Sequence, residues 1–244
     1  MNAEPRHNTH TQLVSALGRL ALEHAQTDRA LPTEPELCER FEVSRGALRE
    51  AVKALVAKGI LEVRPRTGTR VRPRHEWNHI DPDVLHWLLE SERGRVVIEL
   101  NELRDAIEPK AAALAAEHAD SEVLSKIWRH FLAMEDAVAQ DDLAAFVEAD
   151  TRFHEEILGA GGNEYLRSIG HVIEAVLEEG FSMIADETAS VAASVPLHRA
   201  VVDAVSRRDA DAAAEAMRQV IAATVRRTGL SRTAATTSAD PATP

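Results

Sequence analysis

The feature that most constrains the fold is a pair of short helix patterns, separated by a three-residue turn, within residues 33–59. Thr33 is followed by a proline at position 35, which is typical of a helix N-cap and its first turn. Ser44 is placed as the N-cap of the second helix, and Gly59 as the residue that ends it. The sequence therefore predicts a helix-turn-helix, with helices at about residues 34–41 and 45–58.

A stretch of alternating residues follows these helices. From Leu61 to Arg72, apolar residues alternate with charged ones around a turn at Thr67-Gly68, which predicts an arginine-rich β-hairpin. Together these elements form a winged helix-turn-helix, whose second helix enters the major groove of DNA. We expect arginines of that helix to bind guanine edges and those of the hairpin to contact the DNA backbone or minor groove. The candidate DNA-binding residues are Ser44, Arg45, Gly46, Ala47, Arg49, Arg64, Arg66 and Gly68.

The charge of the chain is unevenly distributed. The net charge is −12, but residues 1–74 contain 13 Lys and Arg against 9 Asp and Glu, a net of +4. Residues 75–244 carry a net charge of −16. This division indicates that only the N-terminal part binds phosphate. Periodicity alone leaves open that Arg45 and Arg49 are ordinary solvated residues of a helix.

The rest of the chain favours helices. The apolar spacing predicts helices of about 12–20 residues, broken at Gly94, Asp120, Asp141, residues 159–163 and Val195-Pro196. We therefore predict a mainly α protein, with an N-terminal winged helix-turn-helix and a C-terminal all-α helical bundle. The predicted divisions are a DNA-binding domain at 8–74, a linker at 75–86, a ligand-sensing domain at 87–228 and a disordered tail at 229–244.

The sequence carries no signal for export or membrane insertion. It has no run of 18 or more apolar residues, and its N-terminus has no apolar stretch typical of a signal peptide. Cys38 is the single cysteine, which excludes an internal disulfide. We expect a cytoplasmic protein without a membrane partner.

Asp150, His154 and His198 are candidate metal ligands. Asp150 and His154 are four residues apart, so both project from one helix face, where they can chelate a divalent metal. With His198 they make three protein ligands, which leaves a coordination position open. A solvated Asp–His pair explains the spacing of the first two equally well. An open metal site can also activate water, but a separate general base, a nucleophile motif and a Gly-rich phosphate loop are missing, so we do not expect an enzyme.

The N-terminal pattern resembles the GntR family of bacterial regulators, over some forty residues from LPTEPELCERF to RPRTGTRV. The resemblance implies a homodimer that binds a pseudo-palindromic operator in double-stranded DNA. Many members carry arginine where this chain has Pro35, which leaves the operator sequence open. The matching residues are Leu31, Pro32, Glu34, Glu36, Leu37, Val43, Ser44, Arg45, Leu48, Arg49, Glu50, Ala51, Gly59 and Gly68.

The C-terminal part resembles the FCD domain of FadR-like GntR regulators, through ELRDAIEPKAAALAA, EADTRFHEEIL and LHRAVVDAVSRRDADAAAEAM. The segment WNHIDPDVLHWLLE is similar to the group that regulates D-galactonate and related sugar-acid catabolism. The resemblance implies a divalent metal, Zn²⁺ with Ni²⁺ or Mn²⁺ as alternatives. Val220 stands where many FCD domains have another histidine ligand. The implied effector-binding residues are Arg104, Ser194 and Arg227, with Glu108 orienting Arg104.

The expected function is repression of sugar-acid catabolism genes, relieved by a carboxylate effector. A regulator that senses another small organic acid, or the metal itself, is the main alternative. A fatty-acyl sensor is disfavoured because the implied cavity contains Arg104, Asp150 and His154. Two plainer interpretations also stay open, in which Arg104 forms only a structural bridge with Glu108 and Arg227 is solvated.

Overall fold

The computed structural model describes residues 10–27, 31–64, 68–182 and 191–229. It divides into two compact units, an N-terminal unit at residues 1–91 and a C-terminal unit at residues 92–244. The predicted disordered tail lies outside the described residues from position 230 onwards, and Arg66 also lies outside them.

The N-terminal unit contains the predicted helix-turn-helix and hairpin. Ser44 caps the second helix of the motif, because its Oγ accepts a hydrogen bond from the Ala47 amide at 3.2 Å. Gly59 follows that helix with a φ of 77°, and a Cβ there would lie 2.7 Å from the Glu76 carbonyl oxygen. The elements are α1 (His10–Thr27), α2 (Glu34–Phe41), α3 (Arg45–Ala57), β1 (Leu61–Arg64), β2 (Gly68–Val71) and a 3₁₀ turn (Arg74–Glu76).

The two strands form an antiparallel hairpin in which Leu61 pairs with Val71 and Arg64 with Gly68. Leu61 is buried against the helices, whereas Val63 and Arg64 are exposed. The predicted alternation is only partly observed, because Val63, expected on the same side as Leu61, is 61% exposed. The strand order and the antiparallel pairing are those of the predicted hairpin. The prediction of a winged helix-turn-helix is therefore confirmed.

The start of the next helix, α4 (Pro82–His118), packs against α1 within the N-terminal unit. A Cβ on Gly18 of α1 would lie 2.4 Å from the Trp87 ring, so a glycine is needed for this close approach. The Trp87 indole nitrogen donates to Ser15 Oγ at 3.1 Å. Arg19 holds Glu90 through two hydrogen bonds of 2.6 and 2.9 Å.

The helical segment α4 consists of two helices that meet at a kink, which lies two residues before the break predicted at Gly94. Gly94 has no positive φ, and a Cβ on it would meet nothing within 4 Å. The irregular residue is Glu92 instead, whose φ of −143° and ψ of 37° lie outside the helical region. It stands at the boundary between the two units.

The C-terminal unit is an all-helical bundle, as predicted. Its core consists of small residues on α4 and larger apolar residues on the helices that pack around them, among them Phe131, Phe153 and Met217. No helix among the described residues has the length and hydropathy that a membrane span requires. The remaining helices are α5 (Ser121–Ala139), α6 (Leu143–Ala160), α7 (Glu164–Ser168), α8 (Gly170–Ser182), α9 (Val195–Ser206) and α10 (Ala210–Thr228).

Candidate functional site

The N-terminal end of α3 presents a small polar surface. Arg45 and Arg49 lie one turn apart on the helix and both are exposed, as are Ser44, Gly46 and Ala47 between and before them. Leu48 and Leu55, on the opposite side of the helix, are fully buried. The fold thus fixes α3 by its apolar face and leaves the first two turns accessible to a partner.

The charges around this surface are only loosely paired. Arg49 lies 3.2 Å from Glu34 on α2, in an ion pair of exposed side chains. On the hairpin, Arg64 pairs with Glu62 at 2.8 Å. Exposed pairs of this kind contribute little to stability, so a phosphate or base can displace the carboxylate at small cost. Arg45 makes no ion pair within the described ranges.

Five charged or ionisable side chains meet inside the C-terminal unit, and we call them the charged cluster. Arg104 and Glu108 come from α4, Asp150 and His154 from α6, and His198 from α9. All five residues are buried, with at most 3% of their accessible area exposed. On each of the first two helices a spacing of four residues places both side chains on one face.

The histidine tautomers follow from their neighbours. His154 Nδ1 lies 2.5 Å from Glu108 Oε2, and His198 Nδ1 lies 2.9 Å from the Ser194 carbonyl oxygen. Carbonyl and carboxylate oxygens only accept hydrogen bonds, so each Nδ1 carries the proton that it donates. Each Nε2 therefore carries a lone pair that can accept a hydrogen bond or a proton, or bind a cation.

Both Nε2 atoms face Asp150. Asp150 Oδ1 lies 2.9 Å from His198 Nε2 and 3.9 Å from His154 Nε2. The shorter contact lacks hydrogen-bond geometry, so His198 Nε2 is a buried polar atom without a hydrogen-bond partner among the described residues. Lone pairs that face one another at this distance need a cation between them, either a proton or a metal ion.

The arrangement fits a divalent metal. One ligand atom from each of Asp150, His154 and His198 lies within 4.8 Å of the others. Two imidazole nitrogens and a carboxylate oxygen suit zinc, nickel or manganese, and three protein ligands leave room for a ligand from outside. The Nδ1 hydrogen bonds of both histidines are of the kind that orients metal-binding histidines.

The acidic members of the cluster are ionised at neutral pH. Burial by itself raises the pKa of the Glu108 carboxyl, but Arg104 and His154 outweigh it and lower the pKa to about 2. Burial likewise raises the pKa of Asp150, and His198, His154 and Arg104 together lower it to about 2. Both carboxylates are therefore available as acceptors or ligands.

The cationic side of the cluster is incompletely satisfied. Arg104 donates from Nε to Glu108 at 2.7 Å and places Nη2 3.5 Å from His154 Nε2. Its Nη1 is buried without a hydrogen-bond partner in the part of the chain that the structure describes. Arg227 of α10 is half-buried, and burial lowers its pKa while nearby Asp150 raises it and Arg104 lowers it further. Two guanidinium groups thus lie within electrostatic reach of Asp150.

Ser194 is buried beside the cluster. Its hydroxyl donates to the Val191 carbonyl at 2.7 Å, and its own carbonyl accepts from His198. The serine therefore positions His198, while its hydroxyl oxygen keeps lone pairs for a further hydrogen bond. Val220 of α10, at the position implied for another histidine, is buried and apolar.

The bond between Glu108 and His154 was not anticipated from the sequence, which linked Glu108 only to Arg104 one turn away. The two residues are 46 positions apart, and their contact depends on how α4 and α6 pack. The burial of Glu108 was the available signal, because a fully enclosed carboxylate on an apolar helix face requires more than one partner.

Comparison with known families matches both parts of the chain. Residues 13–71 match the family described as "Bacterial regulatory proteins, gntR family", and residues 99–223 match the FCD domain. The charged cluster lies within the second of these ranges, and the exposed face of α3 within the first.

Individual relatives agree with these matches. The galactonate operon transcriptional repressor of Escherichia coli is 37% identical over 201 residues, 81% of this chain and 86% of that protein. The putative L-lactate dehydrogenase operon regulatory protein of Escherichia coli is 32% identical, over 77% of this chain and 73% of that protein. The solved structure of Streptococcus agalactiae GntR superposes with a TM-score of 0.52 at 28% identity, over 89% of this chain and 99% of that one. These similarities indicate a transcription regulator and not an enzyme.

Proposed function

The chain belongs to the GntR family of bacterial regulatory proteins and carries an FCD domain, and from this premise we propose that it is a transcriptional repressor released from DNA by a sugar acid. As a member of the family it is a DNA-binding regulator with an effector-binding domain. The observation that carries the proposal is the buried charged cluster. In it an arginine nitrogen without a hydrogen-bond partner among the described residues lies beside three side chains that could hold a metal ion.

The exposed face of α3 provides the DNA contacts in this proposal. Arg45 and Arg49 present guanidinium groups that match the O6 and N7 atoms of guanine, while Ser44, Gly46 and Ala47 allow close approach to the groove. Arg64, Arg66 and Gly68 of the hairpin contact the backbone or minor groove. A homodimer would place two such helices on the half-sites of a pseudo-palindromic operator.

In the C-terminal unit, Asp150, His154 and His198 hold a divalent metal, for which we propose Zn²⁺ and regard Ni²⁺ and Mn²⁺ as alternatives. The ion would supply an electrophilic position for a carboxylate and a neighbouring hydroxyl. Arg104 binds the carboxylate of the effector through its unpaired Nη1, and Arg227 adds a second positive charge. Ser194 holds His198 in place and offers its hydroxyl oxygen to the ligand.

The names of the relatives narrow the class of effector. One is named for a galactonate operon and another for an L-lactate dehydrogenase operon. Galactonate and lactate are both 2-hydroxy acids, whose carboxylate and adjacent hydroxyl match an arginine next to an open metal position. The effector releases DNA only to the extent that it binds the free state more tightly than the DNA-bound state.

The test is a fluorescence anisotropy titration with DNA from upstream of the gene itself, using zinc-loaded protein. We expect tight binding that weakens steeply with salt, and release by a 2-hydroxy acid such as D-galactonate. The Asp150→Asn variant should bind the DNA as the wild type does and should not release it when the acid is added. The Arg45→Met variant should bind the DNA about 5- to 150-fold more weakly, because it loses one guanine contact.

Three results would contradict parts of the proposal. Indifference of the DNA complex to every acid tried would remove the sensing role. Release of the DNA when zinc alone is added to metal-free protein would assign the metal as the signal. Stronger DNA binding upon addition of the acid would contradict release by the effector and show that the acid favours the DNA-bound state.

A further inference from the structure

A buried stripe of α4 carries one polar residue that the charged cluster does not use. Val97, Asn101, Arg104 and Glu108 follow one another at helical spacing, and all four are buried, whereas Glu102 and Asp105 on the flanks are exposed. Asn101 is only 4% exposed. It therefore lies on the same face as the arginine and the glutamate that build the cluster.

The side-chain amide of Asn101 is unsatisfied. Both its Nδ2 and its Oδ1 are buried without a hydrogen-bond partner in the described part of the chain. Buried polar groups are almost always paired, because an amide removed from water loses its hydrogen bonds on folding. A buried amide with neither bond made needs a partner that the described residues do not supply.

The position of Asn101 relative to Arg104 suggests where this partner comes from. The two residues are three apart on one helix, so their Cα atoms are separated along the axis by about 4.5 Å. Roughly four carbon–carbon bonds span such a distance. A carboxylate on the unpaired Nη1 of Arg104 thus leaves Asn101 beside the far end of a short carbon chain, beyond the second carbon.

We propose that Asn101 recognises a hydroxyl group of the effector beyond its second carbon, and that the effector is a polyhydroxylated acid. An amide presents an acceptor and a donor side by side, and a hydroxyl group is likewise both donor and acceptor. This inference rests on the proposed function, because it takes Arg104 and the metal position as the anchor of the carboxylate. Asn101 then determines the length and polarity of the chain that follows.

The experiment compares two acids on the zinc-loaded full-length protein by calorimetric titration. D-Galactonate has hydroxyls along its whole chain, and L-lactate has only the hydroxyl next to its carboxylate. We expect the wild type to prefer D-galactonate. The Asn101→Leu variant should bind D-galactonate about 10- to 100-fold more weakly, because the site loses its bond to the distal hydroxyl. Its affinity for L-lactate should stay within about twofold.

Two controls separate recognition from a structural effect. The melting temperature of the ligand-free Asn101→Leu variant should equal or exceed that of the wild type, because leucine of similar size removes an unpaired buried group. Glu102→Gln, on the exposed neighbour, should leave both affinities unchanged. If the leucine variant does not fold, Asn101→Ala serves for the same comparison of acids.

The results that would contradict this inference differ from those that would contradict the proposed function. An unchanged ratio of the two affinities in the Asn101 variant, or a preference of the wild type for L-lactate, would overturn this inference and leave the sensing of a carboxylate intact. Binding of neither acid by the wild type would contradict the proposed function, and this inference with it.

Discussion

The two units use the same residue type in opposite surroundings. Arg45 and Arg49 of the N-terminal unit stay in water, and their neighbours barely constrain them. Arg104 of the C-terminal unit is fully enclosed and is held by Glu108. An exposed guanidinium loses its water only when a partner arrives, whereas a buried one has lost it on folding and depends on its partner permanently. Substitutions in the two places should therefore fail in different ways.

The largest effect is expected from Arg104→Met. It leaves the Glu108 carboxylate buried with only His154 as a partner, which should lower the free energy of unfolding by about 3–5 kcal/mol. Urea unfolding followed by circular dichroism measures this. The double variant with Glu108→Leu should recover much of the loss, because it removes both charges. A single variant as stable as the wild type would show that the cluster does not depend on this pair.

Removal of the metal is expected to have the next largest effect on stability. If Asp150, His154 and His198 hold an ion, chelation should destabilise the protein by about 2.7 kcal/mol relative to protein with free ion at 100 times its dissociation constant. Differential scanning calorimetry with and without a chelator tests this, and added zinc should restore the transition. The variant His198→Gln should show the lower melting temperature from the start and should not respond to the chelator. An unchanged wild-type transition in the chelator would count against a bound metal.

On the exposed surface, Arg45→Met is the counterpart of Arg104→Met. The free energy of unfolding should change by no more than about 0.5 kcal/mol, because the side chain is exposed. Operator affinity should fall by about 1–3 kcal/mol through loss of a guanine contact. Anisotropy titration against operator DNA measures the loss, and Glu39→Gln, an exposed position on α2, is a control that should retain full affinity. Strong destabilisation by Arg45→Met would place the arginine in a structural role.

The smallest effect on stability is expected from loss of the Ser44 N-cap of α3. Ser44→Ala removes the hydrogen bond to the Ala47 amide and should cost about 1 kcal/mol. Thermal unfolding shows this as a small fall in the melting temperature, and Ser44→Thr, which keeps the hydroxyl, should restore most of it. A loss as large as that of Arg104→Met would mean that the serine does more than cap the helix.

The difference between local contacts and contacts between distant helices explains how much of the molecule is predictable from its sequence. The bounds of α2 and α3 follow from Thr33, Ser44 and Gly59, because caps and turns depend on neighbouring residues. The spacing of Asp150 and His154 places them on one face for the same local reason. The approach of His198 to Asp150 depends on packing between α6 and α9, and sequence spacing does not contain it. The family resemblance was needed to bring those residues together.

The predicted break in α4 differs from the observed kink for a similar reason. Gly94 is a residue that often ends helices, but it can also continue one, and only the packing on either side decides between the two. The structure continues the helix through the glycine and places the irregular geometry at Glu92.

The close packing of Trp87 against Gly18 has a practical consequence for anyone who wishes to study the DNA-binding part in isolation. A fragment truncated after the hairpin would lack Trp87 and Glu90. It would expose the surface of α1 around Gly18, and Ser15 and Arg19 would lose their hydrogen bonds to these two residues. Such a fragment would be prone to aggregate during expression, because apolar surface is exposed. A fragment that extends to Ser91 retains these contacts and is the better choice for crystallisation with an oligonucleotide.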